Sequence, residues 1–390
     1  MSSTFTKFLA PALGALVVVS LQVFPASTAS AVEGGTATQI NAGGYHACAI
    51  TPAERLKCWG YNSVGQLGIG NTDNQYEPRL VPNLENVKRV AIGNYTTCAI
   101  VGNAGKLKCW GENDYGQIGD GTNDDSDTPV LTIEKGVKQV DIGEYHTCAV
   151  FESGKAKCWG SNDYAELGTR DFDDRLRPAK VEGLDNVKNI SAGYEYTCAT
   201  VGQGKAKCWG KNDYGVIGDN TYDDRKRPTQ VKGLDKNVTV VKAGYYTSCA
   251  IVGKGRLKCW GTDYYGEVGT GTTVGDYPKP VQVIGMESGV KSVDPDYYFT
   301  CAVKGDAAKC WGNNDYGQIG VAVDDIDSRD VPTTPKGLGE KVVGINTAWY
   351  HVCALLKNGT ARCWGYADDG EVGSGDEGEY QYETPQKVLL

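Results

Sequence analysis

Three features of the sequence predict an all-β fold, a seven-bladed β-propeller. The tripeptide Cys-Trp-Gly occurs seven times, at spacings of 49 to 53 residues. Each of its cysteines follows another cysteine by 9 to 11 residues, and a glycine-bearing turn lies between nearly every pair. Repeats of about 50 residues that read as several short strands are the signature of blades around an axis. The 52 glycines, with no collagen-like period, agree with many tight turns.

The third repeat illustrates the unit. Val137 to Ile142 alternates well enough for an inner strand and stops at Gly143. Tyr145 to Phe151 reads as a second strand, Glu152-Ser153-Gly154 as a turn, and Lys155 to Trp159 as a third strand. A polar loop follows, and Pro178 to Val181 makes a short fourth strand.

This hairpin also predicts the disulfides. A turn centred on Ser153 sets Cys148 opposite Cys158, within bridging range on one sheet face. The same local pairing joins Cys48 to Cys58, Cys98 to Cys109, Cys198 to Cys208, Cys249 to Cys259, Cys301 to Cys310 and Cys353 to Cys363. That accounts for all 14 cysteines. Free thiols or metal ligands are the weaker reading, since there is no CxxC pair and only three histidines. Each bridge should contribute about 2–3 kcal/mol, chiefly by restricting the unfolded chain.

Residues 1–31 read as a secretory signal: Lys7, an apolar run from Leu9 to Phe24, and small residues at Ala29 and Ala31. Pro11, Pro25 and the missing basic flank argue against a membrane anchor. Residues 32–390 are then one propeller outside the cytosol, secreted or periplasmic, not inserted in a membrane and expected as a monomer. The net charge of −9 becomes −10 once Lys7 is removed, which disfavours nucleic acid as a partner.

Gly143-Glu-Tyr-His-Thr-Cys-Ala-Val and Cys109-Trp-Gly-Glu-Asn-Asp-Tyr-Gly-Gln-Ile-Gly-Asp-Gly-Thr resemble the regulator-of-chromosome-condensation repeat family. The resemblance spans residues 37 to 390. It includes a glycine ten places after each third-strand cysteine: Gly68, Gly119, Gly168, Gly218, Gly269, Gly320 and Gly373. It implies seven blades. Its eponymous nuclear members are exchange factors for a small GTPase and bind chromatin, but the signal segment, the cysteines and the acidic charge depart from them. Similar repeats occur in a secreted inhibitor of β-lactamases that grips its target with loops on one face.

Candidate binding residues lie six places after the third-strand cysteines: Tyr115, Tyr164, Tyr214, Tyr265 and Tyr316, with Val64 and Asp369 in the other repeats. Asn-Asp pairs such as Asn113-Asp114 flank most of them. Tyrosine beside amides and carboxylates suits a protein or a glycan, although a tyrosine can also simply cover the groove between blades. The Cys-Trp-Gly tryptophans are expected to pack between neighbouring sheets. His46, His146 and His351 share one strand position, where bonding to the local backbone is favoured over a metal site.

Acidic loops at 120–127, 171–174, 223–224 and 324–327 could hold Ca2+, although solvated turns are favoured and no other cofactor is suggested. Four sequons, at Asn94, Asn189, Asn237 and Asn358, would matter only in a eukaryotic secretory route. No nucleophile elbow, zinc motif or phosphate loop appears, so no catalytic residue is assigned. Paired carboxylates alone leave a glycosidase open. The expected role is a binding module for an extracellular protein, with a glycan-binding lectin or an exchange-factor-like protein as alternatives.

Overall fold

The computed structural model describes residues 35–323, 328–339 and 341–390. The signal reading at 1–31 and the acidic stretch at 324–327 lie outside them. Seven four-stranded antiparallel sheets follow one another along the chain, each built from a single continuous stretch of sequence. In the third blade the strands are Val137–Ile142, His146–Phe151, Ala156–Gly160 and Arg175–Lys180. The fourth begins three residues earlier than Pro178, because a bulge between Cys158 and Gly160 lets Gly160 pair with Arg175.

The hairpin register is the expected one: Cys148 faces Cys158 and Val150 faces Ala156. All seven disulfides form within their own blades, with Cα atoms 4.1–4.2 Å apart.

The blades are joined by their tryptophans. Each Cys-Trp-Gly indole is fully buried against the preceding blade, and its Nε1 donates to a backbone carbonyl there. Trp159 reaches Gln117 O at 2.9 Å, Trp209 reaches Glu166 O at 2.9 Å and Trp260 reaches Val216 O at 2.7 Å. The repeated glycine explains itself here. A Cβ on Gly119, which has φ +81°, would stand 2.4 Å from the Trp159 Nε1. Trp59 of the first blade makes the same bond to Glu371 O of the seventh at 2.9 Å, and so closes the ring. Closure therefore uses side-by-side packing, with no strand shared between the chain ends.

A hydroxyl on the second strand often joins this contact. Thr147, Thr197, Ser248 and Thr300 donate to the same carbonyls as the indoles, at 2.8–2.9 Å. The histidines use this layer too, and the expectation of a local backbone bond is corrected. His46 Nε2 meets Thr97 Oγ1 at 2.7 Å and His146 Nε2 meets Thr197 Oγ1 at 2.8 Å, each across to the next blade. Burial holds all three imidazoles down at about 3, so they are neutral.

The seam between blades seven and one lacks this bond. Ala47 stands there where Thr97 and Thr197 stand in their blades, and neither ring nitrogen of the buried His351 has a partner. Ala47→Ser should give His351 a hydroxyl and raise unfolding stability by about 1 kcal/mol. Thr197→Ala should orphan His146 and cost about 1–3 kcal/mol. Chemical denaturation of the two variants measures both, and a neutral Ala47→Ser would show that the seam is not the weak joint.

Candidate functional site

One end of the propeller carries the connections between inner and second strands and the long loops between third and fourth strands. The long loops share an internal brace. Asn113 is buried: its Oδ1 accepts Ile118 N–H at 2.9 Å, and its amide donates to Thr122 O and Asp124 O, each at 3.0 Å. Asn62, Asn162, Asn212, Asp263 and Asn314 accept the corresponding N–H in their blades. Asn113 thus holds the loop rather than lining an open surface, while its neighbour Asp114 is exposed.

Several aspartates of the acidic loops serve the same brace. Asp125, Asp174 and Asp224 each accept the N–H of the bracing asparagine at 2.8 Å. Among the described residues, no three His, Cys, Asp or Glu side chains converge as a metal site would need.

With the loops fixed, the tyrosines fall into order. Tyr115 leans on Tyr145 of the next blade at 5.0 Å between ring centroids. Tyr214 does so on Tyr246 (4.7 Å), Tyr265 on Tyr298 (5.1 Å) and Tyr316 on Tyr350 (4.7 Å). Blade four has Glu195 at that position, and Tyr164 takes the Lys211 ammonium over its ring at 4.4 Å instead. Lys211 also bonds Glu195 at 2.5 Å, which outweighs burial and holds its ammonium above the ordinary lysine range. These rings bridge blades and still present edges: Tyr115 and Tyr265 are 38% and 37% exposed.

A second, inner tier lies just ahead of the second strands, two residues before the histidine position. Four places before the second-strand cysteine stand Gly44, Asn94, Glu144, Tyr194, Tyr245, Tyr297 and Trp349. The aromatic members meet along one side of the axis: Tyr194 stacks on Tyr245 at 4.0 Å, Tyr245 meets Tyr297 at 5.0 Å, and Trp349 lies 6.0 Å from Tyr245. Trp349 continues to Tyr45, and Tyr45 stacks on Tyr95. Tyrosines of all seven blades thereby join one aromatic network with Trp349.

Beneath this tier the axial channel opens into a cavity of about 100 Å³. Lys242 Nζ lies 3.3 Å from Asp294 there, and Asp141 and Asp294 hold its ammonium above the usual lysine range. Asp141 takes Ser191 Oγ at 2.9 Å and Asp294 takes Thr347 N–H at 3.0 Å. Glu144 and Asp296 are both pushed up to about 8. Burial is the main cause for each, and neighbouring carboxylates add to it.

The charge at this end is one-sided. The loops at 61–74, 112–125, 161–174, 211–224, 262–276, 314–323 and 367–380 contain 25 Asp and Glu residues. Within them the cations are Arg170 and Lys211, and Arg175 and Arg225 at the adjoining strands pair with Asp171 and Asp219. A face of this sign attracts cations and repels polyanions.

Comparison with known proteins agrees with the repeat reading. The model of the Regulator of chromosome condensation (RCC1) repeat matches residues 56–100, 104–150, 153–200, 203–251 and 310–355, and a second RCC1-repeat model matches six shorter segments between 37 and 371. The chain belongs to the RCC1-repeat family. The sequence unit of the first model is offset from the blade, running from one third strand to the next blade's second strand.

The chain is 28% identical over 336 residues to the E3 ubiquitin-protein ligase HERC2 of Homo sapiens, covering 84% of this chain and 6% of that protein. It is 27% identical over 355 residues to the ultraviolet-B receptor UVR8 of Arabidopsis thaliana, covering 89% of this chain and 69% of that one. The crystal structure of Prp20p from Saccharomyces cerevisiae superposes with a TM-score of 0.76 at 22% identity, over 85% of each chain. That last likeness is one of fold.

The raised carboxyls give this RCC1-repeat propeller a pH signature. Glu144, Asp296 and Glu371 lie at about 8, and Glu112, Glu166 and Asp263 at about 7, each mainly through burial. Between pH 8 and the ordinary carboxylate range the folded chain binds more of these protons than the unfolded chain, so their effect is to stabilise on acidification. The buried histidines act oppositely. Their folded values are depressed, so the stability they contribute is lost as pH falls from about 6.5 toward about 3. Between pH 8 and 6.5 the carboxyl effect is the larger of the two. The thermal midpoint should therefore rise over that interval, by about 5 °C. Glu144→Gln with Glu371→Gln should flatten the rise, and calorimetry at stepped pH measures both.

Proposed function

We propose that this RCC1-repeat propeller is an extracellular binding module that recognises a protein partner through its tyrosine-bearing face. The observation that carries the reading is the aromatic network drawn from all seven blades and braced by rigid loops. Aromatic side chains fixed on a rigid scaffold give large contact area at little cost in side-chain entropy, and they dominate the energetics of protein interfaces. Tyr115, Tyr164, Tyr214, Tyr265 and Tyr316 form the outer part of this surface, with Asp114 beside the first.

The compartment belongs to the same proposal. Seven local disulfides suit an oxidising environment, secreted or periplasmic. That setting favours a binder over an exchange factor acting on a cytosolic GTPase. The acidic loops make nucleic acid an unfavourable partner. Stacked tyrosines beside carboxylates also suit a sugar ring, which supports a lectin as the second reading.

The test uses the oxidised protein as bait on extracellular material from its own source, with and without competing sugars. Capture of one protein, resistant to sugar and reduced at least about tenfold by Tyr115→Ala, Tyr164→Ala and Tyr214→Ala together, supports the protein-binding reading. Capture released by simple sugar moves the assignment to the lectin. Capture unaffected by the triple variant places the binding surface elsewhere.

A further inference from the structure

The inner tier breaks the seven-fold pattern in a way the outer tier does not. Blades four to seven put large aromatic groups at the axis, namely Tyr194, Tyr245, Tyr297 and Trp349. Blades one to three put Gly44, Asn94 and Glu144 there. Half of the mouth is therefore an aromatic wall, and the other half is open. Among the described residues no ring contact joins Tyr95 to Tyr145, so the aromatic ring is C-shaped, with its gap at Asn94 and Glu144.

Glu144 takes the Asn94 amide at the edge of this gap. It also feels Asp296 from across the axis and Glu112 from the neighbouring loop. Asp141, Glu144, Asp294 and Asp296 line the same cavity with only Lys242 to offset them. Lys242 is already committed to Asp294 at 3.3 Å and to the field of Asp141. Burial raises the carboxyls nearest the opening, with repulsion from Asp296 adding to it at Glu144 and from Asp294 at Asp296. Carboxyls held in the protonated form by burial ionise when a cation arrives beside them, so a cavity that joins them to tyrosine and tryptophan faces is complementary to a delocalised or alkyl-borne cation. It is a poor site for a metal, which would need converging oxygen ligands that are not present among the described residues.

Resting on the protein-binding reading above, we propose that the axial mouth receives one cationic side chain, an arginine or a lysine, from a loop of a basic protein partner. Glu144 and Asp296 supply the countercharge, and Tyr245 and Trp349 supply the wall. The surrounding acidic loops would steer such a partner toward this end and speed its arrival. The inserted cation would anchor the centre of the interface that the outer tyrosines surround.

Trp349 gives a direct readout, because it is the single tryptophan outside the seven Cys-Trp-Gly units. Its emission is obtained by subtracting the spectrum of Trp349→Phe. The probes are a disulfide-cyclised nonapeptide presenting one arginine, the same peptide with citrulline in that place, and free Nα-acetylarginine amide. The arginine peptide should shift Trp349 emission saturably, bind about tenfold more tightly than the citrulline peptide, and outbind the free amide. Glu144→Gln with Asp296→Asn should weaken it by about tenfold, whereas Asp376→Asn with Glu377→Gln, on the outer loop of blade seven, should leave it within about twofold.

Equal binding of the citrulline peptide overturns the proposal without any variant having to fold. Equal weakening by the outer-loop pair overturns it as well, since only the general field would then be at work. Tighter binding of the free amide would make the mouth a small-molecule site and also overturn it. If a partner is captured through the outer tyrosines but ignores the mouth variants, this inference fails while the protein-binding reading stands.

Discussion

Every blade meets its neighbour through one recurring contact: an indole N–H donated to a main-chain carbonyl, with a glycine beneath it. The buried tryptophan brings a large apolar area, and its single polar atom must find an acceptor. The acceptor is the carbonyl two residues before the repeated glycine of the preceding loop in all seven cases, the ring-closing pair Trp59 and Glu371 included. A side chain at that glycine would enter the indole, and the indole would in turn lose its place against the loop. Position of the long loop, spacing of the blades and closure of the ring thus rest on one geometry repeated seven times.

The disulfides act at a different level. Each closes a hairpin of its own blade and none crosses a blade boundary. They restrain the unfolded chain locally and contribute nothing directly to ring closure. Blade integrity is covalent, and ring integrity depends on packing and on the indole, hydroxyl and imidazole bonds. A propeller built this way resembles other repeat arrays, in which neighbouring interfaces carry the cooperativity. At the seam between blades seven and one, Ala47 and the unpartnered His351 leave this layer without its hydroxyl–imidazole bond.

The architecture was legible in the sequence because its determinants are local and repeated. Hairpin register follows from a turn of fixed length, so Cys148 opposite Cys158 could be read from the residues between them. The bond partners of His46 and His146 were not legible, since they lie a whole repeat away on the next blade. Asn113 was similarly opaque: a polar residue beside an exposed tyrosine reads as surface until the loop is seen to fold around it. Tyr115 could be found by its period, but its role depends on Tyr145, which belongs to a different repeat.

The role of the inner tier was not legible, for an opposite reason. Periodicity finds what repeats, and a binding site on a symmetric scaffold must at some point stop repeating. Glycine, asparagine, glutamate, tyrosine and tryptophan at one structural position are noise to a repeat search. Once the ring is closed, those same differences become an open side and a walled side. The scaffold positions, tryptophan and glycine, stay fixed in all seven blades because the ring needs them. The position four before the second-strand cysteine varies because backbone pairing makes no demand on its side chain, whereas the next position is tyrosine in six of the seven blades. In a propeller, the departures from the repeat at the axis are therefore where recognition chemistry is free to collect, and here they have collected carboxylates against aromatic faces.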